Sequence, residues 1–326
     1  METIQPDSTL PTVDLIVPFY NEAEALPTFH RRICAVIDPL PYLFHFIYVN
    51  DGSGDQTQAL LNDLCQADPR ITVLELSRNF GHQAALTAGL DHSQADIAIT
   101  LDGDGEHPPE MIPEMLALAE QGYDIVATQR SEDQQASGFK RGTSNAFYRF
   151  INWIGSTEIQ PGVGDFRLMK KNVVDSLRSL EEYHRFLRGL VSWMGFRSVI
   201  LPYVPAKRLA GKSKYTLPKM FKLAANATFS FSLVPLYLSI SLGGVFLVLA
   251  IVEMIYVLSF WVRGAQASLA PGWSSLMFVL LVVGGTIMIG IGFIGIYVGY
   301  TFQEVKHRPV YLVRQKVGQD QRQEPQ

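Results

Sequence analysis

Asp102-Gly103-Asp104 closes the apolar run at 97–101 and leads into Glu106 and His107. Two carboxylates one residue apart in a strand-end turn can bring oxygen ligands to a divalent ion that also bridges a diphosphate. Breaking a sugar–phosphate bond leaves a nucleoside diphosphate whose developing charge has to be stabilised, and such an ion does that. A sugar nucleotide therefore fits this turn better than free phosphate. Comparable groups stand at Phe19-Tyr20-Asn21-Glu22, Asp51-Gly52-Ser53 and Ser77-Arg78-Asn79. Any one of them is also ordinary turn and helix-cap chemistry. Three acidic loops meeting on one edge are a stronger signal than any single loop.

Bringing these loops together requires a sheet. β-Branched runs near 13–18, 44–50, 72–76, 97–101 and 124–128 alternate with helical stretches at 22–37, 56–65, 82–91, 109–121 and 141–153. That alternation predicts an α/β fold, a mostly parallel sheet with flanking helices. In such sheets ligands bind beyond the carboxyl ends of the strands, where all the groups above lie. Hydride chemistry is excluded because no Gly-x-Gly-x-x-Gly follows the first strand. The stretch Ala206-Lys207-Arg208-Leu209-Ala210-Gly211-Lys212-Ser213 lacks only the first glycine of a P-loop and reads as a basic phosphate-binding loop.

The 326 residues are 48% hydrophobic and carry a net charge of −4, which excludes a disordered chain and argues against nucleic-acid binding. Cys34 and Cys65 form no metal or redox motif. Charge is unevenly placed. Residues 1–204 have a net charge of −12, whereas 205–222 hold six basic side chains and no acidic one. Between 233 and 300 the only formal charges are Glu253 and Arg263. Two stretches, 236–262 and 275–300, are long enough to cross a bilayer as a hairpin. Lysines and arginines flank the pair on both outer sides, so the positive-inside rule puts both ends in the cytoplasm. Residues 1–13 have neither a basic start nor an apolar run, so the body is expected to stay there. Glu253 has three readings: an oligomer interior, a head group or the outer surface. Residues 217–231 mix aromatic and aliphatic side chains with Lys219 and Lys222, an interfacial amphipathic pattern.

Pro18-Phe19-Tyr20-Asn21-Glu22, Val49-Asn50-Asp51-Gly52-Ser53, Ser77-Arg78-Asn79-Phe80-Gly81, Asp102-Gly103-Asp104 and Pro108-Pro109-Glu110 stand in the order seen in glycosyltransferase family 2. The chain resembles the polyprenyl-phosphate glycosyltransferases of that family, which include bactoprenol glucosyltransferases and dolichyl-phosphate mannose synthases. The likeness runs on through Gly164-Asp165-Phe166-Arg167, 185–189, 208–215 and both spans. Glu106 stands where the family commonly has glutamine, and His82 where lysine is frequent. Glu106 could supply a third acidic ligand or only alter metal preference.

The resemblance implies a GT-A-like (Rossmann-like) domain at 1–204, a basic loop and juxtamembrane helices at 205–232, a transmembrane hairpin at 233–300 and a cytoplasmic tail at 301–326. It implies inverting transfer of a hexose, glucose from UDP-glucose, to undecaprenyl phosphate on the inner face of the plasma membrane. Mannose transfer from GDP-mannose and a polysaccharide synthase of the same family are the alternatives. Pro18, Tyr20, Asn21, Glu22, Asp51, Arg78 and Asp102 would hold the donor, and Asp102, Asp104 and Glu106 would hold Mg2+ or Mn2+. Asp104, Asp165 and Arg167 are the catalytic candidates, with a structural Asp165–Arg167 pair as the other reading. Arg185, Arg188, Arg208, Lys212 and Lys214 would meet the acceptor phosphate, the last three with a purely topogenic role as the other reading. A homo-oligomer, specifically a tetramer, is the implied assembly.

Overall fold

The computed structural model describes residues 10–131, 163–183, 185–204, 234–264 and 272–318. The expected helix at 141–153, the amphipathic stretch at 217–231 and the basic loop carrying Arg208, Lys212 and Lys214 lie outside them. The chain divides into two compact units, one made of Met1–Trp153, Thr157–Phe221 and Pro309–Gln326, the other of Ile154–Ser156 and Lys222–Arg308.

The first unit is built on β1 (Thr12–Phe19), β2 (Leu43–Asn50), β3 (Ile71–Leu76), β4 (Ile97–Thr100), β5 (Ile125–Arg130), β6 (Val163–Lys170), β7 (Ser198–Tyr203) and β8 (Val313–Val317). They form one sheet in the order β7-β5-β6-β4-β1-β2-β3-β8. The five strands expected from sequence are all present. The sheet is mixed where a mostly parallel one was expected. β4, β1, β2 and β3 run parallel, and so do β5 and β7, but β6 runs antiparallel to both β4 and β5, and β8 antiparallel to β3.

Helices α1 (Leu26–Ile37), α2 (Thr57–Ala67) and α3 (His82–His92) connect the parallel strands. α1 buries Leu26, Phe29, Ile33 and Ile37, a helical stripe, against the sheet. Its first turn starts at Leu26, later than the Glu22 expected from sequence, because 20–25 form the turn that leaves β1. Phe19 packs edge-on against both Phe29 and Tyr48, with ring centroids 5.9 and 5.2 Å away. α4 (Ile112–Glu120) follows a 3-10 turn at Pro109–Met111, and α5 (Lys171–Arg178) and α6 (Leu187–Trp193) follow β6.

α3 is buried from Ala84 to Leu90, so small residues are needed on the side that meets the sheet. At Gly89 an added Cβ would lie 2.2 Å from the Cγ2 of Ile16 in β1. At Gly52, where φ is +63°, it would lie 2.4 Å from the Arg78 carbonyl carbon. This contact lets the turn after β2 lie directly on the loop after β3.

The second unit holds two long helices, α7 (Val234–Val262) and α8 (Trp273–Val305), in the regions expected to be apolar. The stretch Val282–Val305, with mean hydropathy 2.0, is long and apolar enough to cross a membrane.

Gly89→Ala should lower stability by about 1–3 kcal/mol, because overpacking against Ile16 outweighs the helix propensity gained. A urea or thermal melt checks it; an unchanged midpoint would mean that α3 can shift off β1.

Candidate active site

Because β3, β2, β1 and β4 are parallel neighbours, their following loops emerge on the same edge. The loops are tied together by side chains. Asn21, at φ 52°, donates its N–H to Ser53 Oγ (3.0 Å) and accepts the Gly54 N–H at its Oδ1 (2.8 Å). The Glu22 N–H donates to Thr57 Oγ1 at 3.1 Å. Tyr20 is exposed, whereas Pro18 is buried within β1.

Asp51 faces inward. Its carboxylate accepts the Phe80 N–H (2.7 Å), the Gly81 N–H (3.0 Å) and Asn79 Nδ2 (3.0 Å). Burial pushes its pKa up despite those donors. The acid thus fixes the loop between β3 and α3, on which the Arg78 guanidinium lies over the Phe80 ring at 4.1 Å.

In the turn after β4, the Asp102 N–H donates to His107 Nδ1 (2.9 Å), and the His107 ring stacks on Phe166. Asp104 Oδ1 accepts the Glu106 N–H at 3.0 Å, while Glu106 lies 3.5 Å from Arg130. Three carboxylates within one turn form a hard oxygen donor set, the chemistry that suits Mg2+ or Mn2+. Among the described residues, however, the group whose three ligand atoms all lie within 4.8 Å of one another is His30, Cys34 and Asp68. A cation already neighbours that group, since Arg70 pairs with Asp68 at 2.8 Å.

The antiparallel register pairs Thr100 with Arg167, which places Asp165 just beyond the end of β4. Asp165 is 4% exposed. Arg188 of α6 grips it in a fork, Nε to Oδ1 at 3.1 Å and Nη2 to Oδ2 at 2.8 Å. Arg167 lies 3.4 Å from Oδ1, and Gln83 Nε2 donates to Oδ2 at 3.1 Å. Burial alone would push the Asp165 carboxyl up, but the charges of Arg188, His82 and Arg167 hold it well below the usual range. Burial likewise pulls Arg167 down to about 10.

His82 joins the two acidic groups. Its Nε2 lies 3.4 Å from Asp102 Oδ1 and 3.5 Å from Asp165 Oδ2. Burial lowers its pKa, but those two carboxylates outweigh burial and raise it to about 9. Among the predicted site residues, the structure brings Asp102, Asp165, Arg167 and Arg188 into one network. Arg185 pairs instead with Asp91, at 3.6 Å. Sequence reasoning left His82 and Gln83 out of the site, although His82 directly follows the Ser77-to-Gly81 loop.

Acidic loops at the carboxyl edge of such a sheet, beside a buried Asp165–arginine network, fit a transferase of GT-A-like architecture. The Glycosyl transferase family 2 pattern matches residues 14–178. The chain is 36% identical over 304 residues to the uncharacterized glycosyltransferase YkcC of Bacillus subtilis, covering 93% of this chain and 94% of that one. It is 37% identical over 306 residues to a prophage bactoprenol glucosyl transferase homolog of Escherichia coli, covering 93% and 98%. To the bactoprenol glucosyl transferase of Shigella phage SfV it is 36% identical over 306 residues, again covering 93% and 98%. The chain belongs to glycosyl transferase family 2 and is a glycosyltransferase.

Asp165→Asn keeps the shape but leaves Arg167 and Arg188 uncompensated, so it should cost about 3 kcal/mol or more at neutral pH. A depressed carboxylate stabilises the fold above its unfolded pKa of about 3.9, and that stabilisation is lost as pH falls toward the native value. The difference between wild type and variant in denaturant melts should therefore be full at pH 7 and shrink below about pH 4. A difference independent of pH would show that the charge is not responsible.

Proposed function

We propose that the enzyme transfers a hexose, glucose from UDP-glucose, to the phosphate of undecaprenol or a related polyprenol, with inversion at the anomeric carbon. The observation that carries this reading is the edge itself: His82 links the acidic turn after β4 to Asp165 and its arginines. A donor held on the turn and an acceptor held by cations would then meet across a single imidazole. The bactoprenol glucosyl transferases among its relatives support a polyprenyl acceptor and glucose.

The laced loops of Tyr20, Asn21 and Glu22, with Arg78, would hold the nucleoside and diphosphate. Pro18 and Asp51 act beneath them, Pro18 shaping the end of β1 and Asp51 fixing the Arg78 loop. Asp102 and Asp104, with Glu106, would hold Mg2+ or Mn2+, which neutralises charge on the departing diphosphate. The nucleophile is a phosphate oxygen. With a second pKa of about 6 it is mostly dianionic at neutral pH, so a strong general base is not required. Attack forms the bond from that oxygen to the anomeric carbon as the bond to the diphosphate oxygen breaks. What the protein must supply is alignment and positive charge. Arg185, Arg188, Arg208, Lys212 and Lys214 are assigned to the acceptor phosphate, and Asp165 with Arg167 orients Arg188 and His82 around the reacting groups.

In this reading residues 1–204 form the catalytic body, 205–232 the basic collar, 233–300 the membrane hairpin and 301–326 the tail. β8 is paired with β3, so residues on either side of the hairpin belong to one sheet. In this reading the chain between them crosses the bilayer twice, out through α7 and back through α8, the two long helices of this region. With basic residues flanking both, the body and both termini are cytoplasmic. Gly284, Gly285, Gly292, Gly295 and Gly299 have open space where a Cβ would stand, which suits close helix packing in a homo-oligomer, a tetramer in this reading.

Asp104→Ala should cut transfer of radiolabelled sugar into the lipid fraction by about 10²–10³-fold with the melting point retained; full activity would refute the metal-side assignment. A reporter fused within the link at residue 268 should read the outer side of the membrane, and a cytoplasmic signal there would overturn the hairpin.

A further inference from the structure

The tail beyond α8 does more than extend the sheet. The Ser77 N–H donates to the Leu312 carbonyl at 2.8 Å, β8 pairs with β3, and Arg314 contacts Glu75 Oε1 and the Ser77 carbonyl, each at 2.8 Å. These bonds fix the backbone directly beside Tyr311. The Tyr311 hydroxyl donates to Asp91 Oδ2 at 3.0 Å, and its ring lies against His92 at the end of α3.

Asp91 is shared. Its Oδ1 lies 3.6 Å from Arg185 Nη1, and Arg185 Nη2 donates to the Leu180 carbonyl at 2.7 Å. Both terminal nitrogens are thus held by the protein. Arg185 Nε is buried and has no hydrogen-bond partner. A buried charged N–H without an acceptor is costly, and the ligand that would satisfy it carries an anionic oxygen. Two residues after Arg185, the Leu187 N–H donates to Gln83, whose amide holds Asp165. Arg185 thus stands two residues ahead of α6, the helix whose Arg188 holds Asp165.

We propose that Tyr311 and Asp91 are positioning residues that hold the Arg185 guanidinium so that its Nε is presented to the acceptor phosphate. The inference rests on the assignment of Arg185 to that phosphate. It gives the chain beyond the membrane hairpin a part in acceptor binding. Tyr311 stands six positions after Val305, the last residue of α8, so the segment leaving the membrane is also the segment that sets this cation.

The test is direct binding to the full-length protein in detergent micelles, with undecaprenyl phosphate, undecaprenol and UDP as separate ligands. Tyr311→Phe and Asp91→Asn should each weaken undecaprenyl phosphate binding by about five-fold or more while binding of undecaprenol and UDP stays put. Arg185→Lys keeps the charge but has no Nε, and should lose phosphate affinity similarly. If Arg185→Lys is impaired while Tyr311→Phe and Asp91→Asn bind like wild type, the positioning role is overturned and the Arg185 assignment stands. Unchanged binding by Arg185→Lys overturns the assignment and the positioning role together. Equal weakening of phosphate and alcohol by Tyr311→Phe would make the tail contact merely structural and overturn the proposal. Tyr311→Phe removes one oxygen from a half-buried ring, so it provides the test even if Asp91→Asn fails to fold.

Discussion

A carboxylate buried at the edge of an apolar sheet is tolerable only when cations surround it, and Asp165 sets that condition for the rest of the site. The cations come from different elements: Arg188 from α6, His82 from α3 and Arg167 from β6 itself. Gln83 adds a neutral donor and uses its carbonyl to hold the start of α6. One buried charge thereby determines how α3 and α6 meet the start of β6. The same condition explains why β6 is inserted between β4 and β5. Only a strand antiparallel to β4 starts at the edge where β4 ends, and so only such a strand can place Asp165 beside Asp102.

The network is also balanced in a way that favours chemistry over stability. Two arginines and a histidine raised to about 9 share Asp165, with Asp102 close to the histidine. Three cationic side chains therefore share two carboxylates, Asp165 and Asp102, beside the edge where the proposed reaction brings together two anionic substrates. A well-packed apolar cluster would stabilise the fold as well or better. In the proposed reaction the surplus offsets repulsion between the acceptor phosphate and the donor diphosphate, a contribution that apolar packing cannot make.

The legible part of the fold was the part with a simple pattern. β1 to β5 are runs of β-branched and aromatic residues, and α1 shows its apolar stripe plainly. β6 was missed because it reads VGDFRLMK: Asp165 and Arg167 are both buried, so the polar residues that suggest a loop are in fact inside. β7 contains Pro202 and lies at an edge, and β8 is five residues with two charges, so neither resembles a core strand. At the site, the acidic turns were visible as motifs on a common edge. Their connections were not, since contacts such as His82 to Asp165 and Tyr311 to Asp91 join residues 83 and 220 positions apart. Asp51 shows the reverse limit: the motif marks it correctly as special, but its carboxylate turns toward its own scaffold.

β8 carries a consequence larger than its length. Left uncovered, β3 would present a row of unpaired backbone groups at the edge of the sheet. The chain covers it with residues that arrive only after α7 and α8, so the sheet is completed by sequence from beyond the apolar hairpin. A separate C-terminal tail could drift in composition without affecting the catalytic unit. A tail that pairs with β3, binds Glu75 through Arg314 and reaches Asp91 through Tyr311 cannot. The two apolar helices are therefore an insertion between two parts of one folded unit rather than an appendage at its end.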